Sequence, residues 1–160
     1  MNIKLNRVTR DNWEEALKLQ VKEEQSKFAP TVAVSLAKVY IKPDGPNVEY
    51  LPFAIYDSEQ MIGFIMHAYE EQTSDMYWIN GFIVDEKHQG KGYGRAAMVE
   101  MISWIRKNFN QCDEIRLTVY QDNKTAKKLY ESLGFTKTTQ MFGEEEVWRL
   151  SVSKREEKDN

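Results

Sequence analysis

The stretch WINGFIVDEKHQGKGYGRAAMVEMISWI, residues 78–105, decides the fold. It opens as an apolar run of strand character, passes through charged residues, and meets glycines at 90, 92 and 94. Beyond them Met98, Met101, Ile102, Ile105 and Phe109 recur at three- and four-residue spacings, so one stripe of a helix faces a core. A glycine-rich turn between a strand end and a helix start points several backbone N–H groups at one place. The helix dipole adds partial positive charge there, and such a loop binds phosphate. Two named versions of this loop fail. The P-loop needs Gly-Lys followed by Ser or Thr, but Lys91 is followed by Gly92. The dinucleotide fingerprint needs a third glycine where Arg95 stands, and Arg cannot do that glycine's packing work. Asp113 and Glu114 do lie near the spacing of a ribose-binding acid, so the glycine spacing alone carries this rejection. What remains is Q/R-x-x-G-x-G/A, satisfied by Gln89, Gly92 and Gly94.

Outward from this stretch, residues 3–8 read as a first strand. A helix is expected from Thr9 or Asp11, burying Trp13, Ala16, Leu17 and Val21. APTVAVSLAKVY (29–40) reads as a second helix, although its β-branched residues also suit a strand. LPFAIYDSEQMIGFIMHAY (51–69) reads as two strands joined at DSEQ. The run 76–84 is apolar on nearly every residue, which implies cover on both faces of a sheet. EIRLTVY (114–120) is a further strand. NKTAKKLYESLGF (123–135) is a short helix ended by Gly134 in a left-handed conformation, and a hairpin across GEE closes the fold. The implied architecture is a mixed α/β sheet with helices on both faces, antiparallel early and with one parallel crossover at the glycine loop. Residues 1–153 are expected to form one domain, and the charged tail 154–160 to fray.

Composition narrows the partners. A net charge of -3, from 22 Lys and Arg against 25 Asp and Glu, opposes nucleic-acid binding, which needs a cation surplus. Between Pro43 and Glu86 stand nine acids and no Lys or Arg, a field suited to a cationic ligand or simply to solvated turns. Cys112 is alone, which excludes an internal disulfide, and its place before a strand suits a small packed residue. The N-terminus lacks the apolar core of a signal peptide and no run approaches the roughly 20 residues that span a bilayer, so a cytoplasmic protein is expected. Two histidines and one cysteine, far apart in sequence, give no metal-ligand spacing.

About 30 residues after the loop, Asn123, Ala126, Leu129, Tyr130, Gly134 and Phe135 fit N-x-x-A-x-x-L-Y-x-x-x-G-F. With both motifs in place the chain resembles the GNAT superfamily of acetyl-CoA-dependent N-acetyltransferases, and its order of elements fits from residue 3 to about 152. The resemblance implies a mostly antiparallel central sheet with a V-shaped splay between two central parallel strands. It implies acetyl-CoA as cosubstrate, with the pyrophosphate held by amides of the loop Gln89, Gly90, Lys91, Gly92, Tyr93, Gly94 and Arg95. Phe82, Ile83 and Val84 match the strand that pairs with the pantetheine arm, with a bulge at Gly81; Asn123 and Ala126 match further cofactor contacts. Lys87, Lys91 and Arg95 flank the loop near the phosphates, and Lys124, Lys127 and Lys128 could reach the adenosine end. Tyr130 matches the tyrosine that protonates the departing thiolate, although its spacing alone favours a core aromatic. Asn123 equally suits a helix N-cap. His67 and Cys112 are not favoured as catalytic groups. For the general base Glu23, Glu24, Asp75 and Asp85 stay open, as does a water chain.

Among subfamilies the chain resembles bacterial spermine/spermidine and diamine acetyltransferases, through residues 77–94, 8–25 and 142–150. It departs from them where they carry an acid and then Arg, for here stand Asn80 and Gly81. Glu23, Glu24 and Asn80 are the candidate acceptor contacts, and the expected acceptor is a polyamine or diamine. A different small amine, a protein lysine, or a non-catalytic CoA-binding role would share the same motifs. The family's habit of pairing sheet edges implies a homodimer.

Overall fold

The computed structural model describes residues 1–153; the tail 154–160 lies outside the described residues. The chain begins with β1 (Ile3–Arg7), α1 (Trp13–Leu17), a 3-10 turn (Glu23–Gln25) and α2 (Val32–Ile41). Three long strands follow: β2 (Val48–Asp57), β3 (Gln60–Glu70) and β4 (Tyr77–Val84). A second 3-10 turn (Glu86–His88) leads through the glycine loop into α3 (Tyr93–Asn108). The chain closes with β5 (Glu114–Tyr120), α4 (Lys124–Ser132), β6 (Thr136–Phe142) and β7 (Glu145–Ser151).

The strands form one sheet in the order β1-β2-β3-β4-β5-β7-β6. Every neighbouring pair is antiparallel except β4 with β5. That parallel pair is the crossover expected around the glycine loop. One face of the sheet packs α3, and α4 rests against the same cluster, with Tyr77, Ile79, Met98, Met101, Ile105, Ile115, Leu117 and Phe135 buried together. The other face carries Ala16 and Val32 of the first two helices against Phe64, Met66, Ala68 and Ile83. Burial of β4 from both sides is what its nearly continuous apolar sequence requires.

The β4–β5 pairing is confined to a single register pair, Trp78 with Arg116, beyond which the two strands part. The cause lies on the opposite edge of β4. Phe64 pairs with Ile83 and Met66 with Asn80, so Ile65 alone opposes both Gly81 and Phe82. This bulge sits where the sequence placed it. Gly81 has φ 61°, and a Cβ on it would stand 2.7 Å from the Ser35 hydroxyl, so only glycine fits.

The first helix is shorter than its sequence implies. It ends at Leu17, and only Ala16 of its apolar residues is buried, while Trp13 and Leu17 are 44% and 41% exposed. Neither Thr9 nor Asp11 is the cap: Asn12 takes that position, and its Oδ1 accepts from the Thr9 N–H instead of from the helix. Five residues cannot repay helix nucleation, and the backbone that would extend the helix is used elsewhere. Gln20 accepts from the Glu86 N–H at 2.8 Å and donates its own N–H to Asp85 Oδ1 at 3.0 Å.

Candidate active site

Where β4 and β5 part, a cavity of about 440 Å³ opens beside the glycine loop. Its walls come from five places: the end of β4, the loop and first turn of α3, Thr118 and Val119 of β5, α4 with its cap, and the segment from Val21 to Ala29. Phe82, Ile83 and Val84 line it along the strand edge that β5 leaves free. Gln89, Gly90, Gly92, Tyr93 and Gly94 line it from the loop. Asn123, Ala126, Leu129 and Tyr130 line it from α4.

Gly90 and Gly92 have φ of 76° and 87°, a conformation that turns successive N–H groups outward and that side chains rarely adopt. Gly94 differs. It lies in the first turn of α3 with no positive φ, and a Cβ there would make ordinary contacts with Leu129 and Phe82 at 3.6 and 3.8 Å. Tyr93 is fastened from behind by a 2.6 Å bond from its hydroxyl to Asp57 Oδ2, which ties the loop to the β2–β3 turn. That bond, above all, holds the Asp57 carboxyl below its usual range. The cradle therefore fits a pyrophosphate: glycines where the backbone must turn, a helix start behind them, and an unpaired strand edge alongside.

Tyr130 is set by the way α4 ends. Gly134, at φ 97°, lets the Phe135 N–H reach back to the Tyr130 carbonyl at 3.0 Å, and the Phe135 ring packs 5.9 Å from the Tyr130 ring. Burial alone pushes the Tyr130 hydroxyl up to about 12. Asn123 caps the helix, its Oδ1 accepting from the Ala126 N–H at 3.3 Å while it also faces the cavity. The cap reading of Asn123 is met, and the residue stays on the cavity wall.

Other candidates stand elsewhere. Lys91 is exposed outside the cavity lining, and Arg95 turns to α4, donating to Ser132 Oγ at 2.7 Å. Lys127 is drawn under α4 to Glu146. Among the described residues Glu24 is the one carboxylate in the cavity lining, whereas Glu23 lines a neighbouring cavity of about 400 Å³. Asn80 is outside both linings, with its Oδ1 buried and unpartnered. Asp85 spends its oxygens on the Gln20 and Lys87 N–H groups, which makes it a loop cap instead of a free base. Asp75 sits at the opposite end of β4, 3.7 Å from Arg116. None of the nine acids between 43 and 86 lines the main cavity, so the acidic field read from the sequence does not converge there. His67 is fully buried among Tyr69, Tyr77, Trp104 and Phe109, with Nδ1 2.9 Å from the Trp78 carbonyl, and is a core residue. Cys112 is buried too, and burial pushes its thiol up to about 12, the opposite of an activated nucleophile.

Two features had no local signal in sequence. Glu146, 3% exposed on β7, binds Lys127 of α4 at 3.3 Å, Lys137 of β6 at 3.1 Å and the Trp148 indole N–H at 3.1 Å, so it anchors the helix that carries Tyr130. Gln25 joins Gln89 through paired amides. Trp148 apart, their partners lie 9 to 64 residues away in sequence, beyond any periodicity.

Residues 12–135, well over half of the chain, match the family model described as the acetyltransferase (GNAT) family. The chain belongs to the GNAT acetyltransferase family. As a GNAT enzyme it is an acyltransferase that carries out acetyl-CoA-dependent N-acetylation. The spermine/spermidine N(1)-acetyltransferase of Bacillus subtilis strain 168 is 27% identical over 140 residues, covering 84% of this chain and 88% of that one. Among solved structures, the spermidine N-acetyltransferase of Vibrio cholerae in complex with CoA and spermine has a TM-score of 0.69 at 19% identity, covering 94% of this chain and 95% of that one. An aminoglycoside acetyltransferase in complex with coenzyme A has a TM-score of 0.74 at 14% identity, covering 99% and 100%. At such identities these structures establish the GNAT fold, a mixed and mostly antiparallel seven-stranded sheet, and not the acceptor. Among the described residues no helix is long and apolar enough to cross a membrane.

Proposed function

We propose that this GNAT enzyme acetylates a primary amine of a polyamine or diamine such as spermidine or spermine, by direct transfer with both substrates bound. The observation that carries the reading is one cavity shared by the splayed end of β4, the glycine loop, Tyr130 and Glu24. Acetyl-CoA supplies the acetyl group as a thioester. The loop amides from Gly90 to Gly94 take its pyrophosphate, and the free edge of Phe82–Val84 pairs with the pantetheine arm. An N–H of that run stabilises the charge that develops on the thioester oxygen.

The acceptor must arrive as a neutral amine, because only its lone pair can form the new N–C bond. Glu24, directly or through water, takes the proton that the nitrogen loses. As the C–S bond breaks, the Tyr130 hydroxyl donates to the sulfur. A phenol raised to about 12 keeps its proton across the physiological range, as a donor must. An ordinary thiol titrates near about 8.5, so donation is uphill for a free pair. The same burial that raises the phenol also penalises a bare thiolate, and this makes donation effective.

Two observations favour polyamines: Glu24 as a carboxylate in the cavity wall, and relatives named for spermine and spermidine over most of their length. Thiol release from acetyl-CoA, measured against spermidine, spermine, short diamines, aminoglycosides and lysine peptides, tests the proposal. Preference for polyamines by at least about tenfold in kcat/KM, roughly 1.4 kcal/mol in transition-state binding, is expected. Preference for another amine class overturns the acceptor, and no turnover with any amine overturns Tyr130 and Glu24 as working groups.

A further inference from the structure

The segment that brings Glu24 to the cavity is fastened to the cofactor loop twice. The first fastening lies at Gln20, whose backbone bonds to Asp85 and Glu86 and whose Nε2 donates to Glu86 Oε1 at 3.0 Å. The second is a reciprocal amide pair. Gln25 Nε2 donates to Gln89 Oε1 at 3.1 Å, and Gln89 Nε2 donates to Gln25 Oε1 at 2.9 Å. The polarity of this pair is set from both ends. The Val84 carbonyl can only accept, and it takes a bond from Gln89 Nε2 at 2.9 Å. The Lys22 N–H can only donate, and it reaches Gln25 Oε1 at 3.1 Å. With those ends fixed, each amide shows the other its complementary edge. Gln89, read from the sequence as a cofactor contact, thus has its side-chain amide engaged by protein groups.

Between the fastenings runs a 3-10 turn of three residues, too short to hold its own shape. Glu24 is its middle residue. We infer that Gln25 is a positioning residue for the acceptor: its paired bonds to Gln89 hold the 22–26 turn so that Glu24 stands in the cavity wall. This rests on the reading that Glu24 serves the acceptor. The geometry also makes the two substrate sites one hydrogen-bonded unit, because the residue that braces the acceptor turn belongs to the cofactor loop. Loss of the amide pair leaves the Gln20 fastening intact, so the segment stays attached while the turn loosens.

The test is Gln25→Met, which keeps the side-chain length and removes all three of its bonds, assayed with spermidine alone and in a Glu24→Gln background. Loss of the two bonds across the pair is expected to lower kcat/KM for spermidine about tenfold, with KM rising and kcat falling together, because Glu24 both meets the acceptor and takes its proton. Calorimetric affinity for acetyl-CoA is expected to stay unchanged, and in the Glu24→Gln background the same substitution should raise KM no further. Gln25→Glu keeps two of the three bonds and should fall between wild type and Gln25→Met. The unfolding midpoint of Gln25→Met should move by no more than about 3 °C; if it moves more, the comparison is made with Gln25→Glu. An effect of Gln25→Met that persists undiminished beside Glu24→Gln, or an unchanged kcat/KM, overturns the positioning role. If Glu24→Gln alone leaves kcat/KM for spermidine unchanged, the acceptor reading fails first and the positioning of Glu24 falls with it.

Discussion

Tyr130 combines a half-buried ring, a hydroxyl with no protein hydrogen bond among the described residues, and a place in the cavity wall with the Phe135 ring packed against it. A core tyrosine normally finds a partner for its hydroxyl. This one is left free to meet a ligand. Tyr130→Phe keeps the ring packing and removes only the donor, so kcat is expected to fall by one to two orders of magnitude, within the range for a lost general acid. Acetyl-CoA affinity, measured by calorimetry, should barely change; equal turnover would remove Tyr130 from the chemistry. At this scale the sequence was only half informative. The motif placed Tyr130, Asn123 and the glycines, but it also put Arg95 at the loop, where its guanidinium in fact bonds Ser132. Which way a long side chain turns is set by neighbours that only folding supplies.

The glycine loop and the first turn of α3 act as one element, and its glycines are not equivalent. Gly92 holds φ 87° at the helix N-cap, whereas Gly94 is ordinary helix. Gly92→Val would force a β-branched side chain into the left-handed region, at about 1–3 kcal/mol of strain. The loop would relax away from this shape, and acetyl-CoA affinity is expected to fall about 10- to 100-fold by calorimetry. Unchanged affinity would show that the loop amides do not hold the cofactor. Strands and helices of this part were legible because their apolar spacing is local and strong. The first helix was not, since its continuation was decided by hydrogen bonds from Gln20 to residues about 65 positions away.

Across the whole molecule the sheet buries a titratable group that does no chemistry. His67 is held neutral inside the aromatic wall, its pKa pushed down by burial to about 4. The unfolded chain binds a proton there near the ordinary value of 6.5 and the folded one does not. Stability from this site is therefore full above pH 6.5 and drains away as pH falls toward 4. Between pH 6.5 and 5 the loss is between about 1 and 2 kcal/mol, because the slope reaches 1.36 kcal/mol per pH unit only well below the unfolded value. Chemical-denaturant melts at the two pH values should show it, and His67→Phe should flatten that dependence. An equal slope in the variant would assign the acid sensitivity elsewhere. The sequence by itself determined the order of elements, the glycine loop between β4 and α3, and the helix that carries Tyr130, because each is written in residues within about a dozen positions of one another. Only the tertiary structure decided that the acids of 43–86 scatter away from the cavity, that Glu24, from outside that segment, stands in its wall, and that Gln25, Asp57 and Glu146 brace the site. Those are pairings between distant segments, fixed by sheet register and strand splay, and local pattern carries no record of them.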